Sequence, residues 1–167
     1  RMYAVEVMAR WIDQLGLTDA YFQSDGEAAI KDLVRAVARR CSTLRVRFRV
    51  APKGSPSSNG GAEGTVKLIM STVRVFISAL HEHCGVLVHP GHPLLVWMIR
   101  HAAWCEARYR ASGVHKQSPY FRIHGRNYAN PVCMIGEIVM ARIPDPKEVG
   151  KLQPRFLRGV FLGKSDT

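Results

Sequence analysis

The stretch Ser55-Pro56-Ser57-Ser58-Asn59-Gly60-Gly61-Ala62-Glu63 decides how the chain is read. Pro, Ser, Asn and Gly make a turn, and the apolar residues that follow recur at helical spacing, which predicts a long helix over about Ala62–Leu80. Val66, Ile69, Val73, Phe76 and Leu80 alternate intervals of three and four and draw one stripe for burial. At roughly 100° per residue, Glu63, Lys67 and Arg74 fall within about 40° of one another on a different face. A carboxylate in the first turn is favoured by the helix dipole, and a helix N-terminus also presents free N–H groups. Glu63 four residues before Lys67 is equally an ordinary surface pair.

A second acid lies before this turn. Asp19-Ala20-Tyr21-Phe22-Gln23-Ser24-Asp25 contains a short apolar and aromatic run that reads as a strand ending at Asp25-Gly26. Acids at the carboxyl ends of strands in α/β sheets face the crevice that holds ligands; Asp25 can also be a simple turn or cap residue. Ile30, Leu33, Val34 and Val37 then mark an amphipathic helix over Glu27–Arg40, with Lys31, Arg35, Arg39 and Arg40 outward. Glu27 reads as an acid opening that helix, not as a ligand. Leu44-Arg45-Val46-Arg47-Phe48-Arg49-Val50 alternates strictly, with four apolar residues expected inward and three Arg outward. The Arg face serves either solvation or a nucleic-acid groove.

Gln23-Ser24-Asp25-Gly26-Glu27, the Arg-rich strand and Ala51-Pro52-Lys53-Gly54 leading into the Ser55–Glu63 stretch together resemble the second half of the D,D,E catalytic core of retroviral and retrotransposon integrases, especially copia-type Pol polyproteins. Further along, Trp97-Met98-Ile99-Arg100-His101-Ala102-Ala103-Trp104, Ser118-Pro119-Tyr120, Gly125-Arg126, Gly136-Glu137 and Gly159-Val160-Phe161-Leu162-Gly163 look like the downstream part of copia-type sequences. The Ser-Pro-x-x-Asn-Gly-x-x-Glu element is the most specific of these signals.

That resemblance implies an α/β, RNase H-like integrase core, partial at its N-terminal strands, over residues 1–129, with a small β-rich C-terminal module over 130–167. It implies that Asp25 and Glu63, with 37 residues between them, bind Mg²⁺ (or Mn²⁺) and serve two-metal 3′-end processing and strand transfer on DNA. Asn59 and Gly60 would shape the turn and approach the DNA backbone, and Lys67 and Arg74 would contact phosphates. The family's first catalytic Asp has no counterpart before Asp25: Asp13 falls in an apparent helix and Asp19 is too close. The chain begins at Arg1, which suits a fragment, and the expectation is that this polypeptide is inactive alone. The family further implies a homo-oligomer for the full-length protein and a nuclear site of action after a cytoplasmic phase. Two other readings stay open: a non-catalytic nucleic-acid-binding remnant of a decayed or domesticated element, and a different RNase H-like nuclease or transposase.

Bulk properties narrow the classes. The 167 residues suffice for one domain with a real core and a small appendage. Against 13 acidic residues stand 24 Lys and Arg, a formal charge of +11; this favours a polyanionic partner, although a solubilising, ribosomal or membrane-surface role has the same signature. No apolar run approaches the roughly 18–20 residues that cross a bilayer, so a soluble intracellular protein without a membrane partner is expected. Cys41, Cys84, Cys105 and Cys133 form no Cys-x-x-Cys pair and are expected to be reduced. His81-Glu82-His83-Cys84, with His89 and His92, lacks the paired spacing of a zinc site and reads as a polar loop after the helix.

The remaining elements follow the same rules. Met2–Leu15 reads as a helix stopped by Gly16. Leu94–Arg110 reads as another, in which Trp97, His101 and Trp104 share a face; the aromatic pair is expected in the core, not as a base-stacking platform. Ser118 caps a short helix that starts at Pro119 and ends at Gly125. Beyond Ala129 short β-like pieces at Ile135–Ile143 and Phe156–Leu162 suggest an SH3-like module or an added hairpin.

Overall fold

The computed structural model describes residues 2–24, 26–41, 44–52, 56–113, 116–143 and 154–164. Among the described residues it is a mixed α/β structure of five α-helices and two small sheets, and the chain divides into two compact units, Arg1–Thr65 and Val66–Thr167.

In the first unit α1 (Met2–Gln14) leads to β1 (Asp19–Ser24), α2 (Ala28–Arg40) and β2 (Arg45–Val50). The strands pair in parallel, Asp19 opposite Arg45 through Ser24 opposite Val50, so α2 is the crossover of a β-α-β unit. Val5, Ala9 and Ile12 of α1, Val37 of α2, Cys41 and Leu44 form the buried cluster, on which Ala20, Phe22 and Val46 pack. Both helices therefore use the same sheet face. Arg40 ties them together through a 2.9 Å salt bridge to Glu6.

The alternation of β2 is correct as to sides and only half correct as to burial. Leu44 is buried and Val46 partly so, whereas Phe48 is 54% and Val50 49% exposed. Period-two spacing states which residues share a face; what covers that face depends on other elements. Here the helix cover stops short, leaving an open cleft of about 420 Å³ lined by Ala38, Leu44, Val46 and Phe48 with Arg35 and Arg39.

A 3₁₀ turn (Pro56–Asn59) runs into α3 (Gly60–Cys84), which is longer at both ends than its apolar stripe suggests. Gly60 and Gly61 are its first residues and have no left-handed φ; the left-handed Gly85 ends it, with Gly85 N–H donating to the carbonyl of His81. The His81–Cys84 segment is thus the last turn of a helix, not a loop. Val66, expected in the buried stripe, is exposed.

The second unit packs Ile69, Val73, Phe76 and Leu80 of α3 against Met98 and Ala102 of α4 (Leu94–Tyr109), with Ile135 closing the cluster. Thr72 Oγ1 donates to Glu106 Oε1 at 2.6 Å across the two helices. α5 (Pro119–His124) has the predicted ends: Ser118 Oγ accepts from the Phe121 N–H, and Gly125 is left-handed at φ 68°. β3 (Ile138–Arg142) and β4 (Phe156–Val160) form an antiparallel hairpin. The boundary expected near Ala129 lies inside this unit, and the chain leaving β4 is held to α4. Trp97 Nε1–H donates to the carbonyl of Leu162, and Lys164 N–H donates to His101 Nδ1. Among the described residues no helix is long and apolar enough to cross a membrane.

Candidate functional site

The site expected from sequence has one acid inside the described residues and one outside them. Asp25 lies outside; it directly follows Ser24, the last residue of β1. Glu63 is exposed in the first turn of α3 and, among the described residues, has neither an ion pair nor a hydrogen bond. The surface pair with Lys67 is therefore not formed. Asn59 is the half-buried last residue of the 3₁₀ turn and Gly60 the exposed first residue of α3; Lys67 and Arg74 are exposed further along that helix.

Two hydrogen bonds gather the chain segments around the end of β1. The Ala51 N–H donates to the Ser24 carbonyl at 2.9 Å, continuing the parallel pairing one residue beyond β2. Gln23 Nε2 donates to the carbonyl of Ser58. The residue two before Asp25 thus touches the turn that delivers Glu63, over 35 positions of chain. Nothing in the sequence signals this Gln–carbonyl bond, because a glutamine on a strand face has no preferred partner.

The two glycines at the start of α3 have an unexpected setting. A Cβ on Gly60 or Gly61 would meet nothing within 4 Å, and neither has the φ that favours glycine. Local backbone geometry therefore does not account for them, and what they supply is bare backbone next to Glu63.

The outer face of the β1–β2 sheet carries Asp19, Tyr21 and Gln23 beside Arg45, Arg47 and Arg49. Arg47 is fixed: Nη2 reaches Asp19 Oδ2 at 2.8 Å, Nη1 donates to Tyr21 Oη at 3.0 Å, and the guanidinium lies 5.4 Å from the centre of the Tyr21 ring. Arg45 and Arg49 are exposed and have no ion pair or hydrogen-bonded side chain among the described residues.

The aromatic groups of the second unit are structural. Trp104 is 5% and His101 1% exposed. His101 stacks on Phe76 at 5.2 Å and lies 5.8 Å from Trp104, so the core role expected for this face of α4 is observed for Trp104, whereas Trp97 is only half-buried. Burial lowers the His101 pKa; the bond from Lys164 N–H acts in the opposite direction. Burial pushes the Cys105 thiol up to about 11, which keeps it protonated and unreactive. The Arg108 guanidinium sits 4.4 Å from the Trp104 ring centre and within 6 Å of Tyr120 and Tyr128. Spacing along α4 puts Arg108 one turn beyond Trp104 but gives no sign of Tyr120 and Tyr128 beside it.

Among the described residues no three His, Cys, Asp or Glu side chains come together as a metal site, those of the His81–Cys84 turn included. Compared with models of protein families, with curated proteins and with solved structures, the chain finds no match.

Proposed function

We propose that this chain is part of an integrase-type DNA-processing enzyme, in which Asp25 and Glu63 hold Mg²⁺ (or Mn²⁺) and the adjacent turn approaches DNA. The observation that carries this reading is the hydrogen bond from Gln23 to Ser58, which draws the turn before Glu63 to the end of the strand that precedes Asp25. The parallel β-α-β unit, the Glu63 carboxylate with no partner among the described residues and the bare Gly60-Gly61 backbone support it.

The donor chemistry fits. Carboxylate oxygens are the hard ligands such ions take, and among the described residues Glu63 has no cation to displace. When bound, a pair of these ions activates an attacking oxygen and stabilises the leaving one in phosphoryl transfer. The residues of the chain supply the rest. Asp25 and Glu63 bind the ions, the N–H groups of the first α3 turn face the phosphate backbone, and Lys67 and Arg74 take phosphates farther along the helix. A full active site of this type needs a third acid that the described residues do not provide, so strand transfer belongs to the intact protein, as does its assembly into a homo-oligomer.

Paramagnetic Mn²⁺ tests the pair directly. In NMR spectra of this chain, Mn²⁺ should broaden the amides around Gln23–Gly26 and those around Asn59–Gly64 together, and Glu63→Gln should weaken the effect at least about tenfold without changing the fold. Broadening of one group without the other, or an unchanged titration in Glu63→Gln, would remove the metal site. The non-catalytic alternative would then stand, provided that DNA binding persists and falls steeply with salt.

A further inference from the structure

We infer that the outer face of the β1–β2 sheet is a platform for single-stranded nucleic acid, with Arg45 and Arg49 as the phosphate contacts, Tyr21 as the stacking surface and Arg47 as an internal strut. This rests on the nucleic-acid part of the reading above and not on its metal site.

Charge on this face is asymmetric. Three arginines stand at alternate positions of β2, on the order of 6.6 Å apart, and repel one another. Asp19 neutralises one of the three, and its carboxylate goes to Arg47, not to its register partner Arg45. Arg45 and Arg49 are left as two solvent-facing guanidiniums with no partner among the described residues, roughly 13 Å apart along the strand. That separation spans a few nucleotides. Tyr21, opposite Arg47 in the register, lies between them; it is 64% exposed, although Arg47 packs on its ring and bonds its hydroxyl. The ring is thus oriented, yet most of its surface remains open.

An exposed aromatic between two cations that have no partner among the described residues suits an extended strand whose bases can leave their stack for the ring. A duplex keeps its bases inside and offers this face phosphates alone. An acidic peptide would satisfy the arginines and leave the tyrosine unused. Gln23, the last outward residue of β1, is tied to Ser58, so a strand crossing the platform towards the carboxyl end of β1 is led to the turn before Glu63.

The test is binding of a fluorescent dT20 oligonucleotide in EDTA, over a series of salt concentrations, with the dT20·dA20 duplex and polyglutamate for comparison. The double variant Arg45→Gln/Arg49→Gln should bind dT20 at least about tenfold more weakly. Its log–log salt slope should fall by about 1.4, the value for two single-strand phosphate contacts. Tyr21→Leu should cost about tenfold, as expected of a lost base–aromatic contact, with little change of slope, while Tyr21→Phe retains the affinity. Both arginines are exposed and have no partner among the described residues, so the double variant keeps the fold, which circular dichroism checks. An unchanged slope in the double variant overturns the platform and leaves nucleic-acid binding standing elsewhere; equal affinity for duplex, or tighter binding of polyglutamate, overturns it as a single-strand site. Failure of the parent chain to bind dT20 or duplex removes the nucleic-acid reading altogether.

Discussion

The β1–β2 pair and the β3–β4 pair are each two strands wide, and they are held in opposite ways. β1–β2 is parallel, closed by the α2 crossover, and rests much of one face on a cluster of buried side chains from α1 and α2. β3–β4 is an antiparallel hairpin whose strand residues are nearly all exposed, and it is fastened through the residues that follow it, Phe161 to Lys164, on the side of α4. A sheet stabilised over its face can give its other face to charge and to ligands. A sheet fastened at one end depends on a few contacts, and those contacts tolerate little change.

The sharpest way to break the comparison is Gly163→Ala. Gly163 has φ 124°, and an added Cβ would stand 2.8 Å from Cβ of buried His101. Strain and overpacking together should cost the second unit about 3 kcal/mol or more, read in a denaturant titration by Trp97 and Trp104 fluorescence. Next in size is Val37→Ala. Val37 is fully buried between the helices and the sheet, and its cavity should cost about 2 kcal/mol, seen as faster amide exchange in β1 and β2. If Val37→Ala loosened the hairpin as much as Gly163→Ala does, the two sheets would not be independent in their support.

A smaller effect is expected from acid. Burial lowers the pKa of His101 in the folded chain, with Cys105 Sγ at 3.7 Å from its ring and Lys164 bonded to Nδ1. Below the ordinary value near 6.5 the unfolded chain binds a proton that the folded chain does not, so the second unit loses stability as pH falls from there towards the lowered value. Thermal melts across pH 7 to 5 should show this fall, and His101→Gln should flatten it. A melting profile equally steep in the variant would assign the acid response to another group.

Much of the secondary structure was legible because local signals agreed. Helical stripes set α1, α2 and α4 to within a residue or two, Ser118-Pro119 and Gly125 bounded α5, and alternation found β2. What escaped were matters of covering and of long-range partners. Phe48 and Val50 alternate like buried residues but have nothing over them. The stop signal of α3 was Gly85, beyond the histidines, and Leu80 is only its last deeply buried residue. Gln23 with Ser58, Arg108 with Tyr120 and Tyr128, and Gly163 against His101 join residues of different elements or far apart in the chain, where neither period nor propensity carries information. Of the candidate site, the exposure of Glu63, Lys67 and Arg74 on α3 followed from rotation about the helix axis; the open tie of Glu63 to Lys67 did not.

The cationic stripe of β2 has a consequence for how the chain avoids misfolding. If β2 paired one residue out of step with β1, its side chains would exchange sides and three guanidiniums would be pressed against Val37 and Ala9, with Asp19 and Tyr21 facing hydrocarbon in their stead. Burying unpaired charge is far costlier than leaving a valine wet. The arginines of the outer face therefore act, during assembly, as a proofreading device that makes any pairing shifted by an odd number of residues too unstable to persist.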